Sequence, residues 1–576
     1  MINKPPKACP EFEINRDKPW IEQYPEGTPV EVGPIPWSSI PDFFASVVRN
    51  YPDRPAVANM GTQLSYTRLD EISSHLANYL SQELGLPKGS RVAIVMPNLL
   101  QHAVAILGIL KAGMIVVNIN PLYTSSELQH QLNDSGAVAI IILDNFCHVL
   151  ASVLPATPVQ TVINTSIGDL LTFPKSLAVN FAVKYIKKLV PKYRIQNTVP
   201  LKSALAMGGK TRYHPPETGL DEPAVLQYTG GTTGVCKGAV LSHRNLLTNM
   251  RQATLWVSHG ARPGKEIVPG REIVVNALPL YHIFSLTASF LTFINLGSLN
   301  YLITNPRDLP AFVKELKRVP FTCIPGVNTL FNRLLNTPEF KDLDFSTLKL
   351  SVGGGMAIQQ SVAEGWKALT GCTLIEGYGL TETSPVVCVN PLNLKNFNGS
   401  IGLPLPSTEC SIHDDEGLEL PSGEIGELWV RGPQVMQGYW NRPDETAKVL
   451  TPDGWLKTGD IARIDDEGYV YLVDRKKDMI IVSGFNVFPN DIEVVICNHP
   501  DVLECGVIGM EDEVCGEVVR AFVVRRNPEL NEQQLIHYCR EWLTPYKVPK
   551  SIIFVPDLPK SDIGKVLRRK LRELVN

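Results

Sequence analysis

Several patterns that commonly reveal the class of a protein are missing from this sequence. None of its eleven cysteines belongs to a C-x-x-C pair, which argues against a zinc ribbon and, at this chain length, against a disulfide framework. The formal net charge of -4 gives no general basic field, so nucleic acid is not expected as a partner. The N-terminal segment MINKPPKACPEFEINRDKPW has no apolar core and is not a secretory signal. A cytoplasmic protein with reduced thiols is the simplest interpretation.

One stretch without acidic or basic residues other than His282, residues 273–306, is long enough to suggest a membrane span, which takes ~20 residues. Polar residues such as Asn276, Ser285 and Asn295 interrupt it. The pattern therefore favours a buried strand, a loop at PLYH and a buried helix. An uncharged helix with small polar residues could also line an apolar ligand tunnel.

Short apolar segments alternate with helical patterns early in the chain. RVAIVMP (91–97), MIVVNIN (114–120) and AVAIIILD (137–144) are typical of buried strands, and 99–113 of a helix. A capping box at Thr124 and Glu127 predicts the start of another helix. This alternation predicts βαβ units and a parallel sheet.

The pattern of predicted secondary structure changes near residue 400. ECSIHD, GELWVRG and GYVYLVD are short β-like stretches separated by turn residues, which predicts a small β subdomain. A separate strand and helix pattern follows Asp474 and predicts a smaller α+β C-terminal domain, in which GEVVRAFVVRR alternates like a strand with one exposed face. The predicted fold is thus α/β, with a large N-terminal domain and a smaller C-terminal one.

The segment NFAVKYIKKLVPKYR (180–194) can be drawn as a basic amphipathic helix. Lys184, Lys187 and Lys188 would share one face, and Val183 and Ile186 another. Such a helix can lie at an anionic membrane surface. It can equally be a surface helix packed on its own domain, and the sequence leaves both interpretations open.

A glycine- and threonine-rich run, LQYTGGTTGVCKGAVLSH (226–243), raises the question of phosphate binding. Glycines let backbone N–H groups converge on an anion, and Lys237 adds a mobile charge. The run matches neither G-x-x-x-x-G-K-[ST] nor G-x-G-x-x-G. Taken alone, it could be a phosphate cradle or a plain surface loop.

Four further motifs each have an ordinary structural interpretation when considered singly. YGLTETSP (378–385) offers Glu382, whose carboxylate beside a phosphate would require a cation such as Mg²⁺. WLKTGD (455–460) ends in Asp460, which could make an Asx-turn or accept two ribose hydroxyls. The remaining two motifs are DRKKDMIIVSGFNVFPNDIE (474–493) and LPKSDIGKVLRRKL (558–571).

In this order, the five motifs resemble the adenylate-forming superfamily of acyl-CoA synthetases, adenylation domains and firefly luciferases, over about residues 30 to 572. AGMIVVNINPLYT, LITNPRDLP and SVGGGMAIQQ are similar to the bacterial long-chain acyl-CoA synthetases in particular. The resemblance implies an AMP-binding domain over residues 30–474 and a mobile C-terminal domain over 475–576, with a hinge at Asp474–Arg475. It also implies a two-step reaction, in which ATP activates a long-chain fatty acid as an acyl-adenylate and CoA then displaces AMP.

The resemblance also assigns roles to individual residues. His282 would act as a gate beside the substrate carboxylate, Thr381 would contact the α-phosphate, and Lys565 would bridge the carboxylate and ATP. Glu382 would ligate Mg²⁺, and Gly484 with Phe485 would border CoA. The expected ATP- and AMP-binding residues are Tyr228, Thr229, Gly230, Gly231, Thr232, Thr233, Gly234, Lys237, Gly353, Gly354, Gly355, Tyr378, Gly379, Asp460 and Arg475. The apolar run 283–303 and IPGVNTLF (324–331) would form the acyl tunnel, with Gly326 leaving its bore open.

The implied cofactor is Mg²⁺, with ATP, CoA and a long-chain fatty acid as substrates. The product would feed fatty-acid degradation and lipid synthesis. The resemblance further implies a cytoplasmic enzyme associated peripherally with the inner membrane, and it leaves a homodimer open. One departure is Cys236, where the family pattern leads us to expect a small residue such as alanine.

Other functions make different demands on the sequence. An inactive ATP-binding scaffold would be expected to have lost Lys565 or Glu382, and both are present. A fatty acyl-AMP ligase or a medium-chain acyl-CoA synthetase stays open, although the hinge and the SGFNVFP loop favour an enzyme that uses CoA. Oxygenation of the luciferase type is remote, because related folds host several chemistries and the detailed similarity is to the long-chain acyl-CoA synthetases.

Overall fold

The computed structural model describes residues 18–229, 236–483, 485–512, 515–561 and 564–574. Its strands, in chain order, are β1 (Pro55–Asn59), β2 (Thr62–Ser65), β3 (Arg91–Val95), β4 (Ile115–Ile119), β5 (Ala139–Leu143), β6 (Thr161–Thr165), β7 (Val199–Pro200), β8 (Pro223–Thr229), β9 (Lys237–Ser242), β10 (Ile273–Asn276), β11 (Leu299–Leu302), β12 (Cys323–Gly326), β13 (Leu350–Gly353), β14 (Leu374–Gly379), β15 (Val386–Val389), β16 (Leu403–Pro404), β17 (Glu409–His413), β18 (Gly426–Arg431), β19 (Leu456–Ile464), β20 (Val470–Arg475), β21 (Ile480–Val482), β22 (Phe485–Val487), β23 (Val502–Asp512), β24 (Gly516–Arg525) and β25 (Ser551–Phe554).

The α-helices of the same ranges are α1 (Ile40–Asn50), α2 (Tyr66–Asn78), α3 (Leu100–Lys111), α4 (Ser125–Ser135), α5 (Cys147–Val153), α6 (Lys175–Phe181), α7 (Leu201–Gly208), α8 (His243–Ser258), α9 (Thr292–Asn295), α10 (Leu309–Leu316), α11 (Asn328–Leu335), α12 (Pro338–Lys341), α13 (Gln360–Thr370), α14 (Pro443–Val449), α15 (Pro489–Cys497), α16 (Glu532–Trp542) and α17 (Arg568–Glu573). π-Helical turns extend α2 through Tyr79–Glu83 and α6 through Ala182–Ile186, and a third, Phe284–Leu291, precedes α9.

Two large sheets form the N-terminal domain. One has the strand order β7-β6-β5-β3-β4-β8-β9 and is parallel except for β9. The other has the order β16-β15-β14-β13-β12-β10-β11-β1-β2, with antiparallel strands only near its edges. All five residues of β4 are buried because apolar clusters cover both faces of its sheet. Parallel sheets need this double cover, so the α/β prediction is confirmed.

Local sequence signals explain several elements. The capping box predicted at α4 is present: Thr124 Oγ1 accepts the Glu127 N–H, and the Glu127 carboxylate accepts the Thr124 N–H. The uncharged stretch 273–306 folds as predicted, with strand β10, a loop, and a buried helical run from Phe284 to Asn295. No helix within the described ranges combines the length and apolar character that crossing a bilayer requires.

The small β subdomain is an antiparallel sheet in the order β17-β18-β19-β20. Its last strand reaches Arg475, and the next strand, β21, already belongs to the C-terminal sheet. The proposed hinge residues Asp474 and Arg475 are therefore the last two residues of β20. The turn 476–479 connects the two sheets.

Two expectations of secondary structure are corrected. Strand β24 does not keep one exposed face, since Ala521 to Val524 are all buried. Its second face is covered by Leu558 and by Leu571 of α17. The basic helix drawn over 180–194 instead ends at Ile186, and Lys188 has a left-handed backbone with φ of 52°. Pro191 lacks an N–H and disfavours helix in the residue before it, so the helix cannot continue there.

Candidate active site

A cavity of about 1120 Å³ opens where the two large sheets, the small β sheet and the C-terminal domain meet. Its wall carries most of the residues expected from the sequence: Tyr228, Thr229, Lys237, His282, Gly354, Gly355, Tyr378, Gly379, Thr381, Glu382, Asp460, Arg475 and Lys565. These residues come from positions more than 300 residues apart in the chain. The fold therefore brings the separate motifs to one place, although their individual roles stay predictions.

Other expected residues lie elsewhere. Gly230, Gly231, Thr232, Thr233, Gly234 and Gly484 fall outside the described residues. Gly353, which ends β13, is not part of the cavity wall. Phe485 lies away from the wall, half exposed on β22, where its ring stacks on Tyr546 at 4.7 Å.

The ends of two antiparallel strands flank the proposed phosphate loop. Thr229 ends β8 and pairs in register with Lys237, which begins β9. The Tyr228 hydroxyl donates to Asp134 Oδ2 at 2.7 Å, and Arg442 donates to the other oxygen of Asp134 at 2.6 Å. Asp134 was not expected from the sequence, because it lies 94 residues before Tyr228. It fixes the side chain that precedes the loop.

The proposed ribose site is built across two neighbouring strands. Asp460 on β19 and Arg475 on β20 are register partners, and their side chains form an ion pair at 3.4 Å. The Tyr378 hydroxyl donates to Asp460 Oδ2 at 2.6 Å. Burial, and then the charge of Asp460, raise the pKa of Tyr378 well above its ordinary value, so this phenol keeps its proton. The hydrogen bond orients the carboxylate that the sequence assigns to ribose.

Glu382 is the expected magnesium ligand. Its Oε1 accepts a hydrogen bond from the Tyr439 hydroxyl at 2.8 Å, and its side chain lines the cavity. No group of three or more candidate metal ligands occurs in the described ranges. Proteins commonly hold Mg²⁺ with one or two carboxylates together with substrate phosphates and water, so Glu382 would fit the role.

Lys565 projects from the C-terminal domain into the cavity. Burial, and then the positive charge of Arg475, lower the pKa of Lys565 to about 7, while Asp460 opposes this shift. A second lysine that the sequence did not single out, Lys477, also lines the cavity, and burial lowers its pKa in the same direction. Four basic residues, Lys237, Arg475, Lys477 and Lys565, thus line this end, an arrangement that suits an anionic ligand.

His282 stands between the charged end and the apolar end. Burial lowers the pKa of His282 to about 4, so its imidazole is neutral at pH 7. Its Nδ1 accepts the Phe284 N–H at 3.3 Å. A neutral ring at this place can turn without breaking an ion pair, which suits the expected gate.

The apolar end is a slot between the nine-stranded sheet and two helical segments. Its wall consists of Ala253, Trp256 and Val257 of α8, then Ile283, Phe284, Ala288 and Phe293, then Cys323, Ile324 and Pro325 of β12, Leu350 and Val352, and Val386 and Val389 of β15. Helical segments thus line one side of the slot, and strands of the nine-stranded sheet line the other.

The prediction for Gly326 is corrected by this geometry. Gly326 is not part of the cavity wall, although the preceding residues of β12 are. A Cβ at Gly326 would lie 2.8 Å from Cζ of Phe331 and 3.2 Å from Cδ2 of Leu330. A side chain at this position would therefore point toward helix α11 and not into the tunnel. The sequence did not identify the residues of α8, or Leu350 and Val352, as part of the tunnel wall. Their apolar pattern does not distinguish a tunnel wall from ordinary core.

Comparison with known proteins gives the same classification. The profile described as AMP-binding enzyme matches residues 44–440, and that described as AMP-binding enzyme C-terminal domain matches residues 491–565. The chain belongs to the AMP-binding enzyme family. The family and fold predicted from the sequence are confirmed.

Relatives at high identity share one description. The chain is 55% identical over 557 residues, 97% of its length and 98% of the relative's, to the Long-chain-fatty-acid–CoA ligase of Yersinia pestis. It is 38% identical over 563 residues to the enzyme of the same name in Bacillus subtilis, with 97% and 98% covered. Among solved structures, the ATP-bound RpMatB-BxBclM chimera B3 is similar with a TM-score of 0.79 and 29% identity, covering 93% of this chain and 98% of the chimera.

Proposed function

We propose that this protein is an AMP-forming ligase that converts long-chain fatty acids to their CoA thioesters through an acyl-adenylate. The observation that carries the proposal is one cavity with two unlike ends, a cluster of cations beside Asp460 and Tyr378 and an apolar slot beyond His282. A fatty acid has the matching polarity, with an anionic head and an apolar chain. The curated relatives at 55% identity carry the name Long-chain-fatty-acid–CoA ligase.

In the first step, a carboxylate oxygen of the acid bonds to the α-phosphorus of ATP, and the bond from that phosphorus to the pyrophosphate oxygen breaks. Both reactants are anionic, so fixed positive charge is the main requirement. Lys565 would lie beside the carboxylate and the α-phosphate, and Lys237 beside the outer phosphates. Asp460, held by Tyr378, would accept the ribose hydroxyls, and Thr381 would donate to the α-phosphate. Mg²⁺ held at Glu382 would neutralise phosphate charge when bound.

In the second step, the CoA sulfur bonds to the acyl carbon, and the bond from that carbon to the AMP oxygen breaks. Lys565 lies in the cavity whereas Phe485, the expected CoA contact, lies outside it. This arrangement suits adenylation, so the C-terminal domain would turn before thioester formation. Asp474, at the end of β20, accepts the Asn490 N–H at 2.7 Å and an Arg568 N–H at 3.1 Å, both from the C-terminal domain. The carboxylate of the proposed hinge would thus turn with that domain.

The test is a product assay over saturated acids from octanoate to stearate, with AMP, pyrophosphate and acyl-CoA measured separately. We expect AMP and acyl-CoA in equal amounts and the highest kcat/KM for long chains. AMP and acyl-adenylate without thioester would identify a fatty acyl-AMP ligase instead. A maximum at octanoate would identify a medium-chain enzyme. Chelation of Mg²⁺ should stop pyrophosphate release.

We also propose peripheral association with an anionic membrane, through a surface here called the α6 face. It consists of exposed apolar side chains within one short segment: Phe173, Leu177, Phe181, Tyr185, Ile186 and Leu189. Leu177 and Phe181 are one turn apart on α6, and the rings of Phe181 and Tyr185 lie 5.2 Å apart. An apolar face of this kind can enter the headgroup region of a bilayer.

The residues around the α6 face are basic, which favours binding to an anionic membrane surface. Residues 170–216 contain no Asp or Glu but contain Lys175, Lys184, Lys187, Lys188, Lys192, Arg194, Lys202, Lys210 and Arg212. Basic residues near an anionic bilayer contribute ~1 kcal/mol each. Of the apolar residues of the α6 face, the sequence interpretation used only Ile186. The apolar and the basic residues favour the same partner.

The test is sedimentation with vesicles of phosphatidylcholine alone or with phosphatidylglycerol. Phe181→Glu should reduce binding to the mixed vesicles strongly, and K184E/K187E/K188E should reduce it to the level that added salt produces. Leu418→Glu, at another exposed leucine, is the matched control and should change nothing. Equal binding by all variants would contradict the proposal.

A homodimer stays a prediction, to be tested by analytical ultracentrifugation.

A further inference from the structure

The lysine of the proposed phosphate loop is already engaged. Lys237 forms an ion pair with Glu445 of helix α14, and the Glu445 carboxylate also pairs with Lys448 at 2.5 Å. Both Lys237 and Glu445 line the cavity. A carboxylate thus lies where the anionic phosphates of ATP would bind under the proposed function.

The segment that carries Glu445 is fixed to the loop strand by its backbone. The Trp440 N–H donates to the Gly238 carbonyl at 2.8 Å, and the Val240 N–H donates to the Gly438 carbonyl at 2.9 Å. Glu445 therefore belongs to a short structure anchored on β9. Its position beside Lys237 follows from these contacts and not from a long, free side chain.

Tyr439, in the same segment, contacts both charged groups that phosphates would use. The Lys237 ammonium lies 5.2 Å from the centre of the Tyr439 ring, and the Tyr439 hydroxyl donates to Glu382. The segment 438–445 thus engages the loop lysine and the expected magnesium ligand together. Hydrogen bonds from Lys237 and Lys448 hold the pKa of Glu445 at about 2, so its carboxylate is charged at neutral pH.

We propose that Glu445 is an internal competitor for the phosphates, which holds Lys237 in the nucleotide-free enzyme and recaptures it as pyrophosphate leaves. The inference rests on the proposed function, because it takes the loop to be the phosphate site. ATP gains Lys237 only by displacing Glu445, so the carboxylate weakens binding of ATP and of pyrophosphate alike. It thereby favours release of the product that would otherwise reverse adenylation.

The size of the effect follows from the exposure of the pair. Both side chains are about one-third exposed, so solvent screens their attraction. Removing the charge of Glu445 should therefore tighten nucleotide binding by about two- to fivefold, the range expected when one partly exposed ion pair is lost. The CoA half-reaction does not use the outer phosphates, so its rate should not change.

The experiment compares Glu445→Gln with Asp444→Asn, which removes the same charge from the neighbouring residue of α14. Asp444 is exposed and is not part of the cavity wall. Calorimetry with a non-hydrolysable ATP analogue and inhibition by pyrophosphate give two binding constants. We expect Glu445→Gln to lower both about two- to fivefold. Asp444→Asn should resemble wild type, as should the reaction of preformed acyl-adenylate with CoA in both variants.

Each other outcome is decisive. Equal shifts in the two variants would reduce the effect to general electrostatics and overturn the proposal, and so would weaker binding by Glu445→Gln. Thermal melts show whether either variant is destabilised, and Lys448→Gln gives a second arm, in which a released Glu445 should weaken ATP binding. If wild type bound neither ATP analogue nor pyrophosphate, the proposed function itself would fail. If wild type bound both and Glu445→Gln changed nothing, only this inference would fail.

Discussion

The two ends of the cavity are built on different principles. At the nucleotide end, ion pairs and hydrogen bonds fix single side chains, as between Asp460 and Arg475 or between Tyr378 and Asp460. At the acyl end, two helical segments and three strands contribute apolar side chains, with no acidic or basic residue among them. The charged end therefore depends on the identity of each residue, whereas the apolar end depends on shape and depth.

This difference has an energetic basis. A buried charge without its partner is strongly unfavourable, so paired residues of the nucleotide end such as Arg475 and Asp460 depend on each other. An apolar wall gains ~0.8 kcal/mol for each buried methylene, whichever side chain supplies the contact. Substitutions at the charged end should accordingly cause large losses confined to one chemical step. Substitutions at the apolar end should instead change the preferred acyl-chain length gradually.

The largest effect is expected for Lys565→Ala. Removing the cation that faces both anions should slow adenylation by about 10²–10³, as when one preorganised donor is lost. Preformed acyl-adenylate should still react with CoA, because that step no longer joins two anions. Pyrophosphate release measures the first step and thioester formation the second. Lys560→Ala is the control, since Lys560 of the same loop pairs with Glu504 and Asp557 instead of facing the cavity. Wild-type pyrophosphate release by Lys565→Ala would contradict the assignment.

A protonation change accompanies ATP binding if Lys565 faces the phosphates. Burial and Arg475 lower the pKa of Lys565 to about 7, so the empty enzyme loses this proton as the pH rises through 7. Bound phosphates favour the charged lysine and raise its pKa again. At pH 8, ATP binding should therefore take up a proton in wild type, with a smaller uptake in Lys565→Ala. Calorimetry in buffers of different ionisation enthalpy measures the uptake, and an identical value in both proteins would exclude Lys565 as its source.

The same contrast explains what the sequence could and could not predict. Asp460, Glu382 and Lys565 lie on the cavity as expected, because their motifs preserve residue types that the chemistry requires. The partners Asp134, Tyr439 and Glu445 were missed, since each pairing joins residues brought together only by the fold. The early strands and α4 were predictable from local patterns. The sequence could not predict that Gly326 faces α11. Periodicity gives the alternation of side chains along a strand, but it does not give which side of the strand borders a cavity.

The floor of the slot should set chain length. We expect this floor at Cys323 and Leu350, which are register partners on the slot wall and pack in one apolar cluster with Phe293. Cys323→Phe should shorten the slot and lower kcat/KM for palmitate about tenfold or more, at ~0.8 kcal/mol for each methylene that no longer fits. Octanoate should be largely spared, and Leu350→Ala should shift the preference toward longer chains.

Gly326→Ala serves as the contrasting variant. Its new methyl group would meet Phe331 and Leu330 of α11, so stability should fall while relative rates among acids stay as in wild type. A chain-length shift in Gly326→Ala, or none in either floor variant, would refute this location of the floor.

The smallest effect is expected where the two domains touch. Helix α11 contacts the C-terminal domain, since any side chain at Gly564 would collide with Thr329, and the charge of Arg333 lowers the pKa of Asp557 slightly after the larger effect of Lys560. This contact holds the loop of Lys565 against the cavity, so weakening it should disfavour the adenylation arrangement. Arg333→Gln should slow pyrophosphate release by about twofold, because partly exposed charges interact weakly. Thioester formation from acyl-adenylate should be unchanged, and Lys341→Gln on the next helix should alter neither step. Equal slowing of both steps by Arg333→Gln would mean that α11 supports the fold as a whole and does not favour one domain arrangement.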